Sequence, residues 1–264
     1  MSTPNDPREE ALRWLVLYRD LGVERISRTH ARPRALREPD VEEAAQQVHS
    51  DAPHHEPPLI GPDIETLQKL LAGRPSADQG LAQLRDQVIG DCRRCRLCET
   101  RTQLVFGVGN PHARLMFVGE GPGADEDLKG EPFVGRAGQL LDKIILAMGL
   151  QRAEVYIANI VKCRPPENRA PMPDESAACI SFLFTQIALL KPEVIVALGR
   201  TALEGLAGPQ AEGITKLRGR WFEHQGIPVI ATFHPAYLLR NPAAKRPVWD
   251  DMQTVMRQLG LATP

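Results

Sequence analysis

Two groups of residues in this 264-residue chain have the types and spacing to do chemistry. The first is the segment Val118-Gly-Glu-Gly-Pro-Gly-Ala-Asp-Glu-Asp127, which follows the apolar run Leu115-Met-Phe-Val118. A buried strand that empties into glycines and acids is not building core there. Glycines let the backbone approach a ligand closely, and carboxylates can orient water or stabilise developing positive charge. The second group is the cysteines: Cys92-Arg-Arg-Cys95, then Cys98, then Cys163 and Cys179. Four thiolates arranged two and two suit a structural zinc or an iron–sulfur cluster, and spacing alone does not choose between them. Buried cysteines also serve as small hydrophobes. A C-x2-C flanked by arginines, with two more cysteines in polar surroundings, favours a metal instead. Cys98 is expected to stand apart from the set, although spacing does not prove it.

The elements that must position these groups are legible from the apolar rhythm. Leu115–Val118, Val155–Ala158, Val194–Leu198 and Val229–Phe233 read as short buried strands. Helical patterns lie between them at Gly138–Met148, Pro173–Leu190 and Thr201–Leu206, and Val248–Leu259 closes the chain. Strands alternating with helices predict βαβ units and a parallel sheet covered on both faces. Arg220–Pro228 is expected to place a hairpin before the last strand. Ligands of such sheets bind at the carboxyl ends of strands, which puts Gly119–Asp127, Asn159 and His234 on one edge. Upstream, Asp63–Leu71 and Ala77–Ile89 read as helices, Glu9–Val23 as a short amphipathic helix, and Ser27–Pro62 as a disordered or extended linker. The domain division expected is an N-terminal extension over 1–75 and a single α/β domain over 76–264.

Composition bounds the function. Hydrophobic content of 42%, charged content of 25% and a net charge of -1 describe an ordinary globular protein, not a strongly basic nucleic-acid coat. No apolar run is long enough to span a bilayer, and the N-terminus does not read as a secretion signal. The cysteines then point to a reducing, cytoplasmic setting.

Four motifs occur in order: Gly119-Glu-Gly-Pro-Gly-Ala-Asp-Glu-Asp127, Pro132-Phe-Val-Gly-Arg-Ala-Gly-Gln-Leu-Leu141, Asn159-Ile-Val-Lys-Cys-Arg-Pro-Pro-Glu-Asn-Arg-Ala-Pro171, and His234-Pro-Ala-Tyr-Leu-Leu-Arg-Asn-Pro242. Over about Gly90 to Leu261 the chain resembles the family 4, iron–sulfur uracil-DNA glycosylases. The resemblance implies a three-layer α/β/α domain around a central four-stranded, mostly parallel sheet. It also implies a [4Fe–4S] cluster held by Cys92, Cys95, Cys163 and Cys179, and excision of uracil from single- or double-stranded DNA by a monomer.

Roles follow from that resemblance. Phe133 would stack on a flipped uracil, above a floor made by Gly119, Glu120 and Gly121. The Asn159 amide carries both a donor and an acceptor, so it can pair with uracil O4 and N3–H and leave cytosine mismatched. His234 would donate to uracil O2 as negative charge develops there. The better-known branch of the superfamily has an aspartate where this chain has Gly121. That leaves Glu120, Glu126 and Asn168 as candidates for handling water. Asp125, Glu126 and Asp127 also suit a helix N-terminus. Tyr237, Leu238, Leu239 and Arg240 are expected to enter the DNA as an apolar wedge with a phosphate contact. The alternative for the leucine pair is a short helix packed on the sheet. Lys162, Arg164, Arg169, Arg136, Lys216, Arg218 and Arg220 could form a basic rim. No lysine stands in an obvious Schiff-base position, so base removal without strand cleavage is expected. Two other readings compete. One is a cross-linking relative, disfavoured because Ala243–Trp249 has no histidine. The other is a zinc-bearing nucleic-acid-binding module without catalysis. The helix at Glu9–Val23 could dock a protein partner or pack on the domain.

Overall fold

The structure is a computed structural model, and it describes residues 63–263. The helix expected at Glu9–Val23 and the linker expected at Ser27–Pro62 lie outside the described residues. The chain opens with α1 (Asp63–Ala72) and α2 (Ala77–Gln83), the latter running into a π-helical turn at Leu84–Ile89. Leu67 of α1 and Leu81 of α2 belong to the same buried cluster as the sheet. The division expected at residue 75 therefore falls beyond a helix that is already part of the core.

A two-residue strand β1 (Val108–Gly109) and β2 (Leu115–Gly119) follow, then α3 (Ala124–Lys129), α4 (Arg136–Ala147) and β3 (Tyr156–Asn159). Next come α5 (Pro173–Leu190), β4 (Val194–Leu198), α6 (Arg200–Ala207) and α7 (Ile214–Leu217). β5 (Trp221–His224), β6 (Ile227–Thr232), α8 (Pro235–Arg240) and α9 (Lys245–Gln258) complete the fold. The sheet has six strands in the order β1-β3-β2-β4-β6-β5. β3, β2, β4 and β6 are parallel, as expected, while β1 and β5 add antiparallel edges and correct the strand count upward from four. β5 and β6 form the expected hairpin, turned at Gln225 and Gly226, both with positive φ.

Each parallel strand reads as a continuous apolar run because both of its faces are covered. Side chains alternate between the two layers. Met116 and Val118 pack with Leu183 and Ile187 of α5 and Leu203 of α6. Leu115 and Phe117 pack with Leu141 and Ile145 of α4 and Val248 and Met252 of α9. Each such side chain contributes about 1.5–3 kcal/mol on burial. This α/β/α sandwich fixes one edge on which the four parallel strands end. Register places Gly119 beside Asn159 there, and Leu198 beside Thr232, one residue before the loop that carries His234.

Candidate active site

The carboxyl ends of the parallel strands bring most of the sequence-predicted residues together. Asn159, the last residue of β3, is 1% exposed, and its Oδ1 is buried with no hydrogen-bond partner among the described residues. Buried polar atoms are nearly always paired, so an orphan acceptor at a strand end is a place where a further donor fits. Across from it, a Cβ on Gly119 would lie 2.5 Å from Asn159 Oδ1 and 2.6 Å from Phe133 Cζ. Only glycine leaves that space open. A Cβ on Gly121 would in turn press on Val161 Cγ2 at 2.7 Å. The rings of Phe133 and His234 stand 5.4 Å apart, tilted by 32°.

Phe133 is held in a left-handed conformation, φ 54°, which costs a side-chain-bearing residue about 1–3 kcal/mol. The loop is locked from several sides. Glu126 Oε1 accepts from the backbone N–H groups of Val134 and Gly135, both at 2.9 Å, and Glu126 Oε2 accepts from Gly123 N at 3.1 Å. Arg152 donates to the Pro132 carbonyl and to Asp142 Oδ1. Gly138 of α4 approaches so closely that a Cβ there would lie 1.8 Å from the Phe133 carbonyl oxygen. Asp127 is likewise occupied, accepting from the backbone of Thr102 and Gln103.

His234 precedes α8, and its Nδ1 accepts from Ala236 N at 3.1 Å. With Nδ1 used as an acceptor, the neutral ring carries its proton on Nε2. Burial pushes the His234 pKa down to about 4; the nearby Glu126 opposes that shift, and Arg240 adds to it. The ring is therefore a neutral donor at physiological pH. Glu120, partly buried, accepts a hydrogen bond from Thr201 Oγ1 on α6, across the gap between the ends of β2 and β4.

Other expected residues are placed elsewhere. Asn168 is exposed, with its Oδ1 accepting from Arg164 Nε at 2.8 Å, and it makes no hydrogen bond to Glu120. Leu238 is 1% exposed and belongs to the core under α8, so it does not reach DNA. Leu239 and Tyr237 are exposed, as is Arg240. Lys162 is not on a rim: it is fully buried, donating to Asn159 O at 2.9 Å and Gln186 Oε1 at 2.7 Å. Arg218 is paired with Asp251, Arg169 with Glu175, and Arg220 with Glu212. Arg136 is exposed at the start of α4. Ala243–Trp249 turns into α9, with Trp249 buried.

On the flank of the site, all five cysteines line one cavity together with Lys162 and Phe182. Among the described residues, no His, Cys, Asp or Glu side chains are grouped closely enough, three or more together, to hold a single ion. The cavity carries its own donors to sulfur. Arg94 donates to Cys92 Sγ at 3.1 Å, Arg101 to Cys163 Sγ at 3.3 Å, and Lys162 N to Cys179 Sγ at 3.3 Å. Sequence reasoning missed the Arg101 contact, the Thr201 contact and the burial of Lys162. None of them has a local signature, because each depends on an element distant in the chain.

Comparison with known proteins agrees with this geometry. The family model described as the uracil DNA glycosylase superfamily matches residues 106–253. A type-4 uracil-DNA glycosylase of Thermotoga maritima is 48% identical over 176 residues, covering 66% of this chain and 92% of that protein. One from Archaeoglobus fulgidus is 42% identical over 183 residues, covering 67% of this chain and 92% of that protein. A type-5 uracil-DNA glycosylase of Thermus thermophilus is more distant, 36% identical over 142 residues, covering 48% of this chain and 64% of that protein. The chain belongs to the uracil DNA glycosylase superfamily and, within it, to the type-4 branch.

Proposed function

We propose that this member of the type-4 branch flips uracil out of DNA and hydrolyses its N-glycosidic bond, opening base excision repair in the cytoplasm. The observation that carries the reading is the orphaned Oδ1 of Asn159, buried at the strand ends between Gly119 and Phe133. Uracil N3–H supplies the missing donor, and the Asn159 amide N–H reaches uracil O4. Phe133 stacks on the base. Extruding the base costs a few kcal/mol, and these contacts offset that cost.

His234 Nε2–H donates to uracil O2, where charge accumulates as the bond to the sugar lengthens. A donor already fixed by its Nδ1 contact stabilises that charge without reorganisation. Glu120, oriented by Thr201, is the carboxylate that positions water or stabilises the sugar cation. Lys162 Nζ is enclosed and engaged by Asn159 O and Gln186 Oε1, which supports base removal without strand cleavage. Leu239, Tyr237 and Arg240 are the DNA-facing residues of α8.

Cys92, Cys95, Cys163 and Cys179 hold a [4Fe–4S] cluster, and Cys98 is not needed as a ligand. Cysteines gathered around one cavity with donors to sulfur, together with the likeness to type-4 uracil-DNA glycosylases, support a cluster there. When bound, that group supplies cross-links between the segments around Cys92, Cys163 and Cys179, not a redox step. The test is incubation with uracil-containing oligonucleotide followed by alkali. Release of uracil with strand scission only after alkali is expected; DNA that stays intact overturns the reading.

Two results are expected within this scheme. Glu126 positions the Phe133 loop and does not handle water. Glu126→Gln turns an amide N–H toward Gly123 N–H and should cost about 1–3 kcal/mol of stability and weaken uracil affinity. A fall in kcat by orders of magnitude with unchanged affinity for free uracil would instead return Glu126 to the reaction. For His234, a pKa lowered to about 4 means kcat/KM shows no inflection near 6.5 from this ring, and its acid limb lies near pH 4. Because the folded protein binds this proton less readily than the unfolded chain, stability from His234 is complete above pH 6.5 and falls as pH drops toward 4. An inflection near 6.5 that disappears in His234→Ala would contradict the neutral-donor assignment.

A further inference from the structure

Lys162 lines the cysteine cavity, one residue from Cys163, yet its ammonium is bonded to the end of β3 and to α5. Its side chain is among the largest that are completely enclosed. Burying an ammonium group is expensive unless its hydrogen bonds are met, and a methionine would fill the same space without that cost. The ammonium has two partners. One is the carbonyl of Asn159, three residues back, and the other is Gln186 Oε1 on α5. Gln186 is itself oriented, since its Nε2 donates to Phe106 O at 3.0 Å and Tyr156 Oη at 3.3 Å. Its Oε1 must therefore face Lys162.

The Asn159 carbonyl needs such a partner because of where the sheet stops. β1 pairs with β3 only at Ile157 and Tyr156, so among the described residues no strand flanks Asn159 on that side. On the other side β2 continues, with Ile160 N donating to Gly119 O. The N–H of this peptide is thus held by β2; without a donor its buried carbonyl would be left unpaired, a cost relieved only by shifting the peptide that carries the Asn159 side chain. We propose that Lys162 is a positioning residue for uracil recognition, fixing the Asn159 backbone at the end of β3 by anchoring it to Gln186 on the helix that also carries Cys179. The proposal rests on the reading of Asn159 as the group that pairs with uracil.

The test uses full-length, iron-loaded protein and free uracil as the probe of the pocket. Lys162→Met keeps the length of the side chain and removes the donor. It is expected to weaken inhibition by free uracil about tenfold or more, the effect of leaving one buried acceptor unpaired. Iron content and affinity for an abasic-site oligonucleotide, which fills the cleft but not the base pocket, should stay at the wild-type level. Gln186→Leu, which touches no sulfur, should shift uracil inhibition in the same direction and by less, because Asn159 keeps its donor. Wild-type uracil inhibition in Lys162→Met with iron retained overturns the proposal. Equal weakening toward uracil and abasic DNA also overturns it, since that is general loosening. If Lys162→Met loses iron, Gln186→Leu decides: unchanged uracil inhibition there is equally fatal. Failure of the wild type to release uracil is a separate result, and it brings down the functional reading as well.

Discussion

Cys179→Ser protein is expected to be isolated without iron and to melt roughly 10 °C or more below the wild type, at about 2–4 °C per kcal/mol for a domain of this size. Cys179 sits on α5 and Cys163 just past β3, both buried, while Cys92 and Cys95 come from the loop after the π-helical turn. These segments converge on the cavity, so a group bonded to all of them stabilises the folded state alone, and its loss removes that stabilisation outright. Serine offers no thiolate. Burial pushes the Cys179 thiol up to about 12 and the Cys163 thiol up to about 11. Iron loading must therefore displace protons, and retention should weaken as the pH falls. Cys98→Ser is the control: it should keep its iron, its visible absorbance and its melting temperature. Iron retained in Cys179→Ser removes that residue from the ligand set, and iron lost in Cys98→Ser brings Cys98 into it.

The parts of the site that were legible in the sequence share one property: their meaning is local. β2, β3, β4 and β6 announce themselves as unbroken apolar runs because both faces are buried. Asn159 and His234 are conspicuous because a polar residue directly after such a run must lie at the sheet edge. β1 escapes notice because two residues carry no period; α3 shows only through Asp125, Glu126 and Asp127, whose acids suit a helix N-terminus, because six mostly polar residues carry no apolar period either. Adjacent leucines 238 and 239 could not be separated without knowing the helix. On α8 they point about 100° apart, so one enters the core and the other meets solvent.

The charged residues were less legible for a different reason. Lys162 looks like any cation in an arginine-rich stretch, and its burial is decided by Gln186, 24 residues further on. Glu126 looks catalytic because it follows a glycine-rich turn, yet its carboxylate is spent on backbone donors from the Phe133 loop. A side chain's polarity is written in the sequence; the partner that uses it up is supplied by the fold. That is why the two acids of one segment have different surroundings: Glu120 accepts from the Thr201 hydroxyl, and Glu126 from three backbone N–H groups.

Asn159→Asp should cost the protein its discrimination between uracil and cytosine more completely than its ability to bind either. On the proposed reading the wild-type amide presents an acceptor to N3–H and a donor to O4, so uracil is matched at both positions. Cytosine, with an acceptor at N3 and an amino donor at C4, is mismatched at both. The carboxamide is enclosed beside Gly119 and Phe133, where water cannot repair a mismatch. Enclosed sites of this kind reject the wrong hydrogen-bond pattern by about 10⁴–10⁵. A carboxylate presents two acceptors. Uracil then keeps its N3–H contact and loses O4, while cytosine gains a contact at its amino group and stays repelled at N3. Each base has one match and one clash, so the two rates should converge to within about tenfold, chiefly through a slower release of uracil. Single-turnover release from matched uracil and cytosine oligonucleotides measures both rates. If Asn159→Asp still prefers uracil by the wild-type factor, the base is read elsewhere, and the orphaned Oδ1 has some other partner.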